Sequence, residues 1–174
     1  MERMSHTGTK ETVVIGPPVS RNQLLAYVLN ASTQISSRVC HAVAELREGA
    51  SVGESLVVVL DAQDEEWIER LVELQQIFDD IDVIAVGLAN VRRDAGTERK
   101  AFQLGANGFF YVDDSVDTLV RGMAALLQGQ SWITRQVLVA CSAYTQAQQS
   151  ARSDSALTSR ETEVLTLLCN GASN

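Results

Sequence analysis

Residues Ser55–Phe78 read "SLVVVLDAQDEEWIERLVELQQIF", and this stretch decides the fold. Leu56 to Leu60 is apolar at every position, without polar alternation. A strand of that kind has both faces covered, as strands of parallel sheets do. The acids of "DEEWIER" then open a segment with helical spacing, placing negative charge where the helix dipole favours it. A buried strand running straight into a helix is half of a βαβ unit.

The same alternation extends in both directions. Upstream, "TVVIG" reads as a strand and "RNQLLAYVLNAS" as a helix with apolar residues at Leu24, Leu25, Val28 and Leu29. A short strand near "ISSRVC" and a helix around "HAVAELREG" follow. Downstream come a fourth strand "DVIAVGL", a helix "RDAGTERKAFQLG" closed by Gly105, a fifth strand "GFFYV" and a helix "SVDTLVRGMAALLQG". Ser115 is the expected N-cap of that last helix. Five apolar strands alternating with five helices predict an α/β fold with a doubly wound parallel sheet. Past Gly129 the pattern changes. "TRQVLVACSAYTQAQQ" reads as a sixth helix with an apolar stripe at Val137, Leu138, Cys141 and Tyr144. "QQSARSDSA" is a polar linker, and "LTSRETEVLTLLCNGASN" begins a small all-α element with Thr158 and Glu161 as its capping box.

The 174 residues suffice for one full domain and a smaller appendage, and 45% hydrophobic content supplies a core. No apolar run, Leu56–Leu60 included, approaches the length that crosses a bilayer. The opening "MERMSHTGTKE" has no apolar signal-peptide core. Three scattered cysteines, Cys40, Cys141 and Cys169, suit a reducing cytoplasm. The net charge is −8, and residues 1–150 carry 12 basic against 19 acidic groups. That balance leaves no basic stripe for a DNA backbone. No enzyme is expected: His6 and His41 are isolated, and no glycine-rich phosphate loop or metal-ligand spacing occurs.

"LTSRETEVLTLLCNGASN" resembles the opening of a LuxR-type helix-turn-helix domain, through its Leu-Thr-x-Arg-Glu-x-Glu-Val-Leu pattern and the Gly-Ala-Ser-Asn that follows. The preceding unit resembles a response-regulator receiver, with "LGANGFFYVDDSVDTLVRGMAALLQG" similar to that family's last strand and helix. The resemblance implies a transcription regulator, with a receiver-like domain over 11–130, an additional helix over 131–147, a linker over 148–156 and a helix-turn-helix fragment over 157–174. The recognition helix that enters the major groove is absent. A truncated chain is therefore expected, with DNA binding left to the full-length protein.

The receiver resemblance implies a phosphorylation site built from an acidic pair after the first strand, an Asp after the third, Thr or Ser after the fourth and Lys after the fifth. Here Gly16, Pro17 and Pro18 stand at the first place, Asp61 at the second, Gly87 at the third and Val112 at the fourth. Without carboxylates to hold Mg²⁺, Asp61 is a residual phosphoacceptor position expected to be inactive. Its other reading is a strand-end residue bonding nearby backbone.

A receiver without its usual input needs another. In "QGQSWITRQV", Gln128–Val137, the Trp-x-Thr-Arg of Trp132, Thr134 and Arg135 resembles the VpsT/CsgD-like subgroup of biofilm-matrix regulators, which carry a sixth receiver helix. The resemblance implies binding of cyclic di-GMP by Trp132, Thr134 and Arg135, a ligand-promoted homodimer, and control of biofilm-matrix genes. The chemistry suits that ligand. An indole offers a stacking face worth about 1–3 kcal/mol per base. Arg stacks on guanine or forks to its O6 and N7, and a hydroxyl at a helix start suits a phosphate oxygen. Arg121 adds charge on the preceding helix. On residue chemistry alone a second reading stands: Trp132 fills a groove beside the last receiver helix, and Arg135 pairs with Asp114 or Asp117. The protein would then dimerise constitutively through protein contact, without a ligand.

Overall fold

The computed structural model describes residues 9–49, 54–78 and 80–139. Five strands alternate with five helices: β1 (Lys10–Ile15), α1 (Ser20–Thr33), β2 (Ser36–Cys40), α2 (Ala44–Gly49), β3 (Ser55–Asp61), α3 (Trp67–Gln76), β4 (Val83–Val91), α4 (Ala95–Gln103), β5 (Gly108–Tyr111) and α5 (Val116–Leu127). The strands form one sheet in the order β2-β1-β3-β4-β5, every pairing parallel. β3, central and apolar, is buried at all seven positions. Its residues alternate between two cores. Leu56, Val58 and Leu60 pack with Leu71 and Leu74 of α3, and Val57 and Val59 pack with Leu29 of α1 and Met123 and Leu126 of α5. The doubly wound α/β prediction holds.

Two local differences matter for the site. β4 runs three residues beyond the expected end, to Val91, with register Asp61↔Ala89 and Gly87 opposite Val59. Gly87 therefore lies inside the strand, against Phe110 and Leu126, where a side chain would press on both. On α1 the buried positions are Asn22, Ala26 and Leu29, while Leu24 is exposed. Ser115 caps α5 as expected, accepting the Thr118 N–H at 3.2 Å. Residues 135–139 are helical; the rest of the segment expected as a sixth helix, and the segments expected as a linker and a helix-turn-helix fragment, lie outside the described residues.

Candidate functional site

At the C-terminal end of the sheet, β3 delivers Asp61 into a closed set of partners. Nε and Nη2 of Arg21, from α1, both lie 2.8 Å from Oδ2. The Asn90 side chain donates to Oδ1 at 2.9 Å and the Gln63 backbone N–H to the same oxygen at 3.1 Å. Asn90 reaches it because the longer β4 places it there in a left-handed conformation, φ 56°, which asparagine tolerates better than most residues. Burial pushes the Asp61 carboxyl up, but the bonds from Asn90, Arg21, Gln63 and Asn22 outweigh it and hold the pKa below its ordinary value. The carboxylate is thus ionised, wholly buried and already paired with a cation. Nearby, Gly16 and Pro17 offer no acid, and a side chain at Gly16 would meet Asn22 and Asp61 below 3.0 Å. Among the described residues no cluster of three or more His, Cys, Asp or Glu side chains could hold a metal ion, and the cation facing Asp61 is Arg21.

The stretch around Trp132 lies along the outer edge of β5. Its N–H donates to the Asn107 carbonyl at 2.8 Å and its carbonyl accepts from the Phe109 N–H at 3.0 Å, a one-residue parallel bridge with Gly108. Asn107 fixes this junction: its side-chain carbonyl accepts the Val86 N–H, and its own N–H donates to the Val86 carbonyl. The half-buried indole rests on Gly122 of α5, where a Cβ would stand 2.6 Å from its Nε1. Glycine inside a helix costs about 0.5–1 kcal/mol against alanine; the close approach of Trp132 and Phe110 accounts for it. Ile133 turns to the opposite core with buried Val137, so that part of the apolar stripe packs back on the domain. Leu138 and Val139 are exposed.

Thr134 caps the helical residues that follow, accepting the Val137 N–H at 3.4 Å. Beside it, the Tyr111 phenol has its pKa pushed up to about 12 by burial and then by Glu98, with Thr134 acting in the opposite sense. Arg135 is exposed. The alternative pairing with Asp114 or Asp117 does not form: Asp114 accepts the Tyr111 N–H at 2.8 Å and pairs with Arg93, and Asp117 pairs with Arg121 along α5.

Trp132 and Thr134 border one cleft of about 430 Å³, together with Arg93, Tyr111, Asp114 and Thr118. Its size falls within the about 300–1,000 Å³ typical of small-molecule sites. Arg135 is not among its lining residues. The Arg93 guanidinium carbon lies 4.0 Å from the centroid of the Tyr111 ring. Sequence reasoning missed Arg21, Asn90, Arg93 and Tyr111. The basic pair Arg92-Arg93 just past a strand was the available signal for one of them; for Asn90, misplacement of the strand end hid it.

The architecture is that of response-regulator receiver domains. The regulatory domain of the master biofilm regulator CsgD superposes with a TM-score of 0.52 at 16% identity, over 75% of this chain and 97% of that one. A LuxR-family DNA-binding response regulator from Silicibacter pomeroyi gives 0.54 at 22% identity, over 74% and 98%. A LuxR-family two-component response regulator from Aurantimonas sp. SI85-9A1 gives 0.56 at 16% identity, over 80% and 99%. At these identities the likeness is one of fold. No family model and no curated protein matches the sequence.

Proposed function

We propose that this chain is the sensory part of a LuxR-type transcription regulator whose receiver fold answers to cyclic di-GMP instead of phosphorylation. One observation carries the reading: Trp132 and Thr134 border the same cleft of about 430 Å³. The pairing of buried Asp61 with Arg21 supports a reading in which the usual input is lost. Trp132 supplies the stacking surface, Thr134 a hydroxyl, and exposed Arg135 a guanidinium free to meet a ligand or a second chain.

The magnitudes favour two chains over one. A stack, an arginine fork and a phosphate contact sum to about 5 kcal/mol before the entropy of association is deducted, whereas micromolar affinity needs about 8 kcal/mol. Two copies closing on stacked ligand double the contacts, which makes binding and homodimerisation one coupled equilibrium. Dimerisation would then set the spacing of two DNA-binding domains in the full-length protein, with biofilm-matrix genes as the targets the resemblance implies.

Sedimentation with and without micromolar cyclic di-GMP tests this. A nucleotide-dependent dimer that is lost in Trp132→Ala and in Arg135→Ala supports it; a mass unaffected by nucleotide, with no heat of binding, refutes it. A second reading is favoured by exposed Leu24 and Tyr27 on α1 and Val112 and Val116 near the start of α5. Apolar side chains left in water suit a ligand-independent protein contact. A dimer constant unchanged by nucleotide but weakened by Tyr27→Ser would establish that alternative.

A further inference from the structure

We propose that Arg93 is a second cationic contact of the nucleotide site, and that Asp113 is the counter-ion a ligand phosphodiester displaces. The inference rests on the cyclic di-GMP reading and extends it to residues outside the Trp-x-Thr-Arg motif.

Among the described residues, Arg93 is the one cation lining the cleft that Trp132 and Thr134 border. A dianionic ligand seated there meets Arg93 directly. The guanidinium is held in place through its face: it stacks 4.0 Å from the centre of the buried Tyr111 ring. Stacking leaves the N–H groups at the rim for an anion. They now meet two carboxylates, Asp113 Oδ2 at 3.3 Å and Asp114 Oδ1 at 3.6 Å. Both distances exceed the about 2.7–2.9 Å of a tight charge-assisted bond.

The two carboxylates are not equivalent. Asp114 is 13% exposed and also accepts the Tyr111 N–H, blunting the open edge of β5, so it stays with the fold. Asp113 is 68% exposed against 56% for Arg93, a solvent-screened pair of the kind that contributes little to stability. A phosphate oxygen can take its place with no cost to the core. Asp113 therefore competes with the ligand, and removing its charge favours binding.

Calorimetric titration of cyclic di-GMP into the full chain at fixed ionic strength tests this with four variants. Arg93→Gln is expected to bind about tenfold more weakly or worse, and Asp113→Asn about threefold or more tightly. Asp117→Asn, which makes the same charge change beside Arg121 and away from the cleft, is expected to match the parent. Equal affinity for Arg93→Gln and parent overturns the proposal. So does weaker binding by Asp113→Asn, or equal tightening by Asp113→Asn and Asp117→Asn, which would be a bulk charge effect. Parent binding that needs Trp132, shown by Trp132→Ala, but not Arg93 removes this inference alone; no parent binding removes the nucleotide reading and this inference with it. Arg93, Asp113 and Asp117 are exposed, and unchanged melting of Arg93→Gln and Asp113→Asn confirms that the fold is intact.

Discussion

Neutralising Asp61 is expected to destabilise the domain, and the sign of that effect separates a structural carboxylate from a phosphoacceptor. In an acidic metal-binding site, crowded carboxylates repel one another, so neutralising one relieves the fold. Here the balance runs the other way: the pKa is lowered, so the native state prefers the anion. Asp61→Asn keeps the volume, and its carbonyl still accepts from Asn90 and Gln63. It loses the Arg21 pair and sets an amide N–H against a guanidinium. A broken, fully buried pair costs about 3–5 kcal/mol. Arg21 is 42% exposed and can turn to water, which cuts the loss to about 1–2 kcal/mol. Asp61→Ala also strands two donors at about 1 kcal/mol each, for about 3–4 kcal/mol in all. With a urea dependence of about 2 kcal/mol per molar, the midpoint falls by about 0.5–1 M for Asn and about 2 M for Ala. The depressed pKa fixes the pH window: this stabilisation is complete above the unfolded value of about 3.9 and is lost as pH falls through the lower folded one. The parent should also gain no phosphoryl mass from acetyl phosphate and Mg²⁺. An Asp61→Asn variant as stable as the parent, or more so, refutes the clamp.

Gly122→Ala is expected to destabilise by about 1–3 kcal/mol despite the better helix propensity of alanine, because the new methyl would stand 2.5 Å from Phe110 and 2.6 Å from Trp132; thermal melting checks it, and on the proposed reading nucleotide affinity falls in parallel. Val137→Ala is expected to cost about 1–2 kcal/mol and Leu138→Ala about 0.5 kcal/mol or less, since Val137 is 3% and Leu138 43% exposed; equal losses in chemical denaturation would contradict the docking of residues 135–139. One of the three tyrosines should ionise late, at about pH 12, in an ultraviolet titration that Tyr111→Phe removes. Because that pKa is raised in the native state, its contribution is intact below about pH 10 and lost as pH rises towards 12.

The fold was legible because its signals are periodic and redundant. The unbroken apolar run of β3 demands cover on two faces, and each strand is followed by a helix that supplies it. The face of α1 was legible only in part: Leu24 looks like core, yet Asn22 is buried because its amide donates to the Pro17 carbonyl at 3.0 Å beside Gly16. Apolar spacing cannot foresee a polar residue drawn inward by a loop carbonyl. The Asp61 cluster failed for a related reason. Arg21 and Asn90 are 40 and 29 residues from it in sequence and meet it only through strand register. The Trp132 stretch showed its residue types, but not that its backbone joins the edge of β5 or that the Thr134 hydroxyl already accepts the Val137 N–H.

That edge pairing bears on how a ligand signal could leave the site. Both backbone groups of Trp132 are bonded to β5 neighbours, and its indole lies on a helix glycine with no room to move inward. On the proposed reading the stacking surface is therefore preorganised, and little binding free energy is spent in ordering it. A ligand shifts an equilibrium only by its differential affinity for two states. Within one chain the anchored indole and sheet edge offer few alternative arrangements to discriminate. Two separate chains and a joined pair do differ in the contacts they give the nucleotide. On that reading the rigidity of this stretch argues for a signal carried by association rather than by rearrangement inside the domain. Equivalent backbone amide exchange in β5 with and without nucleotide, alongside a nucleotide-dependent mass, is the expected pattern; altered exchange throughout β4 and β5 in a chain that stays monomeric would reverse the conclusion.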